Sequence, residues 1–128
     1  MILTDSTVII DVSRSQDPRL LGIIAKFDAA ACGVSRAELL HGARDAAHRQ
    51  NLLRTLGLFR IVSIPDALRD DIGDNLATLR RNGITVPFAD VVIATVAIAN
   101  DVELWTRDNQ FKLIQTWLPQ LRLFVEPP

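Results

Sequence analysis

The sequence predicts an α/β fold with a central, mostly parallel sheet of about five strands flanked by helices. Short apolar or β-prone runs alternate with segments of helical period along the chain, and this alternation is typical of parallel sheets covered on both faces. Hydrophobic residues make up 48% of the 128 residues, which is enough to build one core. No repeat, low-complexity tract or linker interrupts the chain, so residues 1–128 are expected to form a single domain.

The first half of the chain predicts two strands and four helices. Ile2–Thr4 is a short apolar run suited to a buried strand, and the turn at Asp5 continues into a helix to residue 12. Pro18 fits the first position of the next helix, Pro18–Phe27, in which apolar residues recur at helical spacing. The remaining elements of this half are a strand over residues 30–34 and helices over residues 35–43 and 45–56.

The second half predicts three strands and three helices. A strand over residues 59–64 precedes a long amphipathic helix that begins at Pro65 and ends at Gly83. Pro87 opens a strongly apolar helix over residues 91–99, whose small side chains suit close packing against a sheet. A strand over residues 102–106, a helix over residues 109–117 and a last strand over residues 121–125 complete the chain.

Charge and cysteine content exclude several classes of protein. With 14 basic and 15 acidic residues the net charge is −1, unlike that of a protein that coats nucleic acid through bulk charge. The single cysteine, Cys32, excludes an intramolecular disulfide and a cysteine-rich zinc site. No apolar run reaches the roughly 18 residues that cross a bilayer, and no basic segment precedes the apolar N-terminus. We therefore expect a cytoplasmic protein without membrane contact.

Four acidic residues, Asp5, Glu38, Asp90 and Asp108, each follow a short apolar or β-prone run and begin a segment of helical pattern. In an α/β fold such junctions meet at the carboxyl edge of the sheet. Each acid also has a structural explanation of its own. Asp5 and Asp108 could cap helices, and Asp90 could favour a helix dipole from the first turn. Glu38 could pair with Ser35 in a capping box. Only the set of four points to a functional site.

A cluster of these carboxylates predicts a metal site. Carboxylates that meet without basic partners repel one another, and a divalent cation is the usual remedy. Mg²⁺ and Mn²⁺ prefer oxygen ligands and retain several waters, one of which can be deprotonated to attack phosphorus. The cation also neutralises the charge that builds up in the transition state. The four acids therefore predict metal-dependent hydrolysis of phosphodiesters.

The segments that carry the acids resemble four motifs of the PIN-domain family. Residues 2–11, ILTDSTVIID, are similar to the opening motif, in which an aspartate is followed by a hydroxyl-bearing pair. Residues 34–43 (VSRAELLHGA), 88–97 (FADVVIATVA) and 104–111 (LWTRDNQF) resemble the second, third and fourth motifs in order. Order and spacing match over essentially the whole chain. The length is most similar to that of the VapC-type toxins, the ribonuclease half of bacterial toxin–antitoxin pairs.

The resemblance implies a PIN-like three-layer fold and a Mg²⁺- or Mn²⁺-dependent endoribonuclease. It assigns Asp5, Asp90 and Asp108 to the metal, directly or through water. Glu38 would bind the metal or orient the attacking water. One departure from the family is Gln110, which stands where an acid often precedes the phenylalanine of the fourth motif.

The resemblance also implies supporting residues and partners. Thr7 and Thr106 would hold the carboxylates by hydrogen bonds. Arg14, Arg36 and Arg107 lie beside the acidic motifs, where they could bind RNA phosphates or pair with the carboxylates. The implied partners are an RNA substrate, a cognate antitoxin that occupies the acidic groove, and a second copy of the chain in a homodimer.

Other functions remain open. Receiver-like and phosphatase-like domains also gather acids around magnesium. A receiver needs an aspartate directly after its third strand, where this chain has Ile64-Pro65, and a phosphatase needs a second aspartate where this chain has Thr7. His41 and His48 belong to no recognisable motif, so acid–base catalysis by histidine is not expected. A PIN fold could also be a non-catalytic module that binds RNA or protein, or a housekeeping RNA-processing nuclease without an antitoxin.

Overall fold

The computed structural model describes all 128 residues, and a four-stranded sheet runs through its centre. The strands are β1 (Ile2–Thr4), β2 (Ala29–Cys32), β3 (Arg60–Val62) and β4 (Leu104–Trp105). They lie in the order β3-β2-β1-β4, and every neighbouring pair is parallel. Parallel strands need crossover connections, and helices supply them here. The sequence-based prediction of an α/β fold with a parallel sheet is confirmed.

Seven α-helices and one short 3₁₀ segment connect and cover the strands. The helices are α1 (Ser6–Ser15), α2 (Pro18–Phe27), α3 (Gly33–His41), α4 (Ala46–Leu56), α5 (Arg69–Arg81), α6 (Phe88–Ala99) and α7 (Gln110–Trp117), and the 3₁₀ segment is Asp66–Leu68. Local sequence explains several helix ends. Pro18 occupies the first position of α2, where its missing N–H costs no hydrogen bond. Asp45 caps α4 by accepting a hydrogen bond of 2.7 Å from the backbone N–H of His48. None of the helices is long and apolar enough to span a bilayer.

The predicted fifth strand, residues 121–125, is reduced to one parallel bridge between Leu104 and Leu123. Two backbone hydrogen bonds flank this bridge, from Leu104 to Arg122 and from Phe124 to Leu104. The partner strand β4 is only two residues long, so it offers no room for a longer ladder. Side chains anchor the segment instead, because the ring of Phe124 packs edge-on against Phe27 and Trp105. The expectation of about five strands was therefore too high by one.

The capping-box explanation for Glu38 is wrong. Helix α3 begins at Gly33, two residues earlier than predicted, and its N-cap residue Cys32 makes no side-chain capping bond. Ser35 therefore lies inside the first helical turn rather than before it. The Oγ atom of Ser35 is buried and has no hydrogen-bond partner. Glu38 thus does not serve the start of its own helix.

Apolar residues pack on both faces of the sheet and make three layers. On one face Leu3 and Ala30 contact a cluster that includes α6 and α7. On the other face Ile2, Ala29 and Trp105 contact a cluster that includes α1, α2 and α4. Successive residues of β1 and β2 thus point to opposite faces, as strand geometry requires. The most apolar helix, α6, has its side chains buried from position 91 to position 97 because it is covered on nearly all sides.

Candidate active site

Asp5 directly follows β1 and is only 2% exposed. Both of its carboxylate oxygens accept hydrogen bonds from hydroxyl groups. Thr7 Oγ1 donates to Oδ1 at 2.6 Å, and Thr106 Oγ1 donates to Oδ2 at 2.7 Å. The backbone N–H of Val8 donates to Oδ1 at 3.4 Å, so Asp5 also caps α1. Burial raises the pKa of Asp5 although these hydrogen bonds oppose the rise.

The turn between β4 and α7 is joined to the turn after β1. The backbone N–H of Asp108 donates to Thr106 Oγ1 at 3.0 Å, and that of Arg107 donates to Thr7 Oγ1 at 3.1 Å. The Oδ1 atom of Asp108 accepts a hydrogen bond of 2.9 Å from the backbone N–H of Gln110, at the first turn of α7. The two threonines therefore link the segments that carry Asp5 and Asp108, although about a hundred residues separate them.

Asp90 lies in the first turn of α6, close enough to the other three acids for their negative charges to act on its carboxylate. Burial, followed by the negative charges of Asp108, Asp5 and Glu38, raises the pKa of Asp90 to about 6. Glu38 is exposed on α3, and its pKa is raised by partial desolvation and by the charge of Asp5. The fold thus brings all four predicted acids into one electrostatic cluster.

No basic side chain neutralises this cluster. None of the six ion pairs of the protein contains Asp5, Glu38, Asp90 or Asp108. Nor do any three His, Cys, Asp or Glu side chains converge closely enough to form a ready-made metal cage. The donors are nevertheless all oxygens, which suits Mg²⁺ or Mn²⁺, and Mg²⁺ commonly binds through one or two carboxylates while keeping its waters. The residues present therefore fit a hydrated divalent cation.

The three arginines predicted near the acids have different surroundings. Arg107 is bound by Asp11 at 2.9 Å and by Glu126 at 2.8 Å. Arg14 lines a cavity together with Glu38. Arg36 is exposed on α3 two residues before Glu38, and residues at that spacing do not share a helix face. RNA binding by any of them stays a prediction.

Sequence reasoning missed two groups of polar residues near the acids. Glu126, close to the carboxyl end, accepts hydrogen bonds from Arg107, Arg19 and the ring N–H of Trp105. No motif contains Glu126, and only the fold brings it to Arg107. The second group is centred on Arg44, in the turn just before α4, which lines a cavity together with Glu38. All basic residues except Lys26 and Lys112 are arginines, and this composition was the only signal for the group in the sequence.

A family model and curated relatives match this chain over most of its length. The model described as PIN domain matches residues 2–115. Ribonuclease VapC10 of Mycobacterium tuberculosis is 31% identical over 116 residues, which cover 83% of this chain and 81% of the relative.

Solved structures show the same fold at lower identity. VapBC2 from Rickettsia felis, bound to a DNA fragment from its promoter, has a TM-score of 0.82 at 22% identity and covers 97% of this chain and 98% of that one. DNA-bound VapBC from Salmonella typhimurium has a TM-score of 0.81 at 17% identity over 97% and 98% of the two chains. The family assignment rests on the four motifs, the matching family model, the homologous relative and the shared fold. This chain belongs to the PIN-domain family.

Proposed function

We propose that this protein is a Mg²⁺- or Mn²⁺-dependent endoribonuclease and the toxin component of a toxin–antitoxin pair. The observation that carries the proposal is the mutual charge repulsion of four carboxylates that have no basic partner. A cluster of this kind is unfavourable by itself and becomes favourable with a cation. The named ribonuclease among the relatives supports RNA as the substrate.

The chemistry follows from this donor set. A bound Mg²⁺ or Mn²⁺ would lower the pKa of a water and offset the negative charge of the phosphate that is attacked. Asp5, Asp90 and Asp108 are the proposed ligands, direct or through water. The hydrogen bonds from Thr7 and Thr106 use one lone pair on each carboxylate oxygen of Asp5. They also fix the orientation of the carboxylate, and so the direction in which its remaining lone pairs could meet a cation.

Glu38 has a different proposed role. It is the most exposed of the four acids, and it lies on α3 rather than in a turn next to β1 or β4. An exposed carboxylate at the rim can accept a hydrogen bond from the attacking water and orient it toward phosphorus. Glu38 could in addition contribute an oxygen to the cation.

Cleavage of RNA by the purified full-length protein tests the proposal. We expect hydrolysis with Mg²⁺ or Mn²⁺, none with EDTA, and a large loss of rate in Asp5→Asn and Asp90→Asn with unchanged circular dichroism. Asp71→Asn is the matched control, because Asp71 is exposed on α5 away from the cluster. Absence of metal-dependent cleavage by protein freed of any copurified partner would favour a non-catalytic module that binds RNA or protein.

Partners are part of the same proposal. Complexes of VapB with VapC and of FitA with FitB are among the similar structures, which supports a cognate antitoxin for this chain.

We also propose a homodimer in the cytoplasm. Light scattering at micromolar concentration tests self-association, and a monomer there contradicts it. A neighbouring gene for a small DNA-binding protein would favour a toxin, and its absence would favour a housekeeping RNA-processing nuclease.

A further inference from the structure

Two adjoining cavities extend from Glu38 along the surface between α1 and α4. The first has a volume of about 270 Å³, and its lining includes Arg14, Glu38, Arg44 and His48. The second has a volume of about 380 Å³, and its lining includes Arg54. Ser13 of α1 lines both cavities, so they adjoin along α1. The two cavities together are called the groove, and its first cavity reaches Glu38, one of the four acids.

The arginines of this groove have no acidic partner. Arg14, Arg44 and Arg54 occur in none of the six ion pairs. Other arginines are also unpaired, namely Arg36, Arg49, Arg80 and Arg81, but none of these lines either of the two cavities. Exposed acids lie on the 3₁₀ segment and α5, at Asp66, Asp70, Asp71 and Asp74. The lining of the groove therefore carries three unpaired guanidinium groups and only one acid, Glu38, and this charge balance favours an anion.

His48 adds a fixed donor to the groove. The backbone N–H of Arg44 donates to His48 Nδ1 at 3.0 Å, so in the neutral ring the proton lies on Nε2. The same turn is held by Asp45, which accepts a hydrogen bond of 2.7 Å from the backbone N–H of His48. The ring and the backbone of Arg44 are thus positioned before any ligand binds.

The groove offers charge rather than a pattern of free hydrogen-bonding groups. Ser13 Oγ already donates to the carbonyl oxygen of Ile10 at 2.7 Å. Asn51 Nδ2, which lies in the second cavity, donates to the carbonyl oxygen of Ser13 at 3.0 Å. The hydroxyl proton of Ser13 and one N–H of Asn51 are thus already used, so the guanidinium groups are the main donors left for a ligand. Guanidinium groups match phosphate oxygens in a bidentate manner.

We propose that this groove binds the sugar–phosphate backbone of the RNA strand on one side of the bond that is cleaved, from Glu38 past Arg14 and Arg44 to Arg54. The inference deepens the proposed nuclease function and rests on it for the choice of RNA. Phosphate contacts of this kind hold a strand without reading its sequence. Arg107 has no part in the path, because Asp11 and Glu126 occupy its guanidinium.

Binding of a fluorescein-labelled single-stranded RNA of mixed sequence tests the path by fluorescence anisotropy, in EDTA so that binding is measured without metal-dependent cleavage. We expect Arg14→Ala, Arg44→Ala and Arg54→Ala each to weaken binding several-fold. Each should also reduce the slope of log affinity against log salt by about 0.7, the value for one lost phosphate contact on a single strand. Arg49→Ala is the matched control. Arg49 is exposed on α4, the helix that carries Arg54, but it lines neither cavity.

Several outcomes would overturn the inference. One is that the three groove variants bind RNA as Arg49→Ala does, with melting temperatures that show an intact fold. Another is that they keep RNA affinity but lose affinity for polyglutamate, which would make an acidic protein segment the occupant. If any alanine variant fails to fold, the glutamine variant replaces it. Groove-dependent binding without any cleavage in Mg²⁺ or Mn²⁺ would support the path while contradicting the nuclease.

Discussion

Glu126 binds the guanidinium group of Arg107 with both carboxylate oxygens, at 2.8 Å from Nε to Oε1 and at 3.0 Å from Nη2 to Oε2. Glu126 also accepts hydrogen bonds of 2.9 Å from the ring N–H of Trp105 and from Arg19. Arg107 immediately precedes Asp108. The last residues of the chain therefore fix the turn that carries one of the four acids.

The Glu126–Arg107 pair predicts a specific pH dependence of stability. The bond to Arg107 and those to Trp105 and Arg19 lower the pKa of Glu126 to about 2, against 4.5 for a free glutamate. A depressed folded-state pKa gives stability that is present above pH 4.5 and is lost as the pH falls through 2. We expect Glu126→Gln to lower the unfolding free energy by roughly 1–2 kcal/mol at pH 7, after allowance for solvent screening, and by little near pH 2.

Urea denaturation across this pH range measures the effect. Asp101→Asn is the control, because Asp101 pairs with Arg122 in the same terminal region but its side chain is 94% exposed. A solvent-exposed pair contributes little to stability. Equal and small effects of the two substitutions at pH 7 would contradict a structural role for Glu126.

Asp90 predicts the opposite pH dependence of stability, a loss as the pH rises, in protein without metal. Burial and the three neighbouring acids raise its pKa from 3.8 to about 6. The folded state then binds a proton more tightly than the unfolded state, so this group lowers stability as the pH rises from about 4 to 6. We expect Asp90→Asn in EDTA to raise the unfolding free energy by roughly 1–2 kcal/mol at pH 7 and by little at pH 4. Thermal melts at the two pH values test this, and a destabilised variant at pH 7 would disagree with it. Asp71→Asn should change neither melt.

Metal should stabilise the wild-type protein. A cation that binds only the folded state adds about 1.4 kcal/mol when its concentration is tenfold above the dissociation constant. We therefore expect millimolar Mn²⁺ to raise the melting temperature of the wild type and of Asp71→Asn, and to have much less effect on Asp5→Asn. A shift of the same size in all three proteins would indicate binding elsewhere on the surface.

Thr106 should affect metal binding through Asp5. Its hydroxyl donates to Asp5 and accepts from the backbone N–H of Asp108, so Thr106→Val breaks both bonds. Groups that orient metal ligands typically change affinity by about 10- to 100-fold. We expect such a loss of Mn²⁺ affinity by calorimetry in Thr106→Val, and recovery in Thr106→Ser, which keeps the hydroxyl. Failure of serine to restore affinity would mean that the methyl group, and not the hydrogen bonds, is what matters.

Local sequence was sufficient to predict the bounds of those elements whose ends are marked by an apolar run or by a proline. Ile2–Thr4 and Pro18–Phe27 have the predicted bounds, because an apolar run and a proline mark them in the sequence itself. The residues around 121–125 were predicted as a strand from composition, but the two-residue length of β4 limits their pairing. That limit is a property of the partner strand and is not visible in the segment.

The candidate site divides in the same way. Asp5 and Asp108 follow β1 and β4, and parallel topology sends the residues after such strands to one edge of the sheet. The expectation that all four acids directly follow strands was wrong for Glu38, which lies inside α3, and for Asp90, whose helix follows α5.

The contacts of Arg107 do not follow from parallel topology. Pairing with Glu126, rather than with Asp108 next to Arg107, depends on how the terminal segment packs through Phe124. Pairing with Asp11 depends on the position of α1 beside the turn after β4. Contacts between side chains that are far apart in sequence are set by the tertiary fold, so the sequence pattern alone does not predict them.

A crystal structure of the wild-type protein grown with Mn²⁺, with anomalous diffraction recorded, tests the central claim most directly. The account predicts an anomalous peak within about 2.5 Å of a carboxylate oxygen from Asp5, Asp90 or Asp108, with the remaining acids reached directly or through water. No peak at saturating Mn²⁺, or a peak only on the acids of α5, would contradict it.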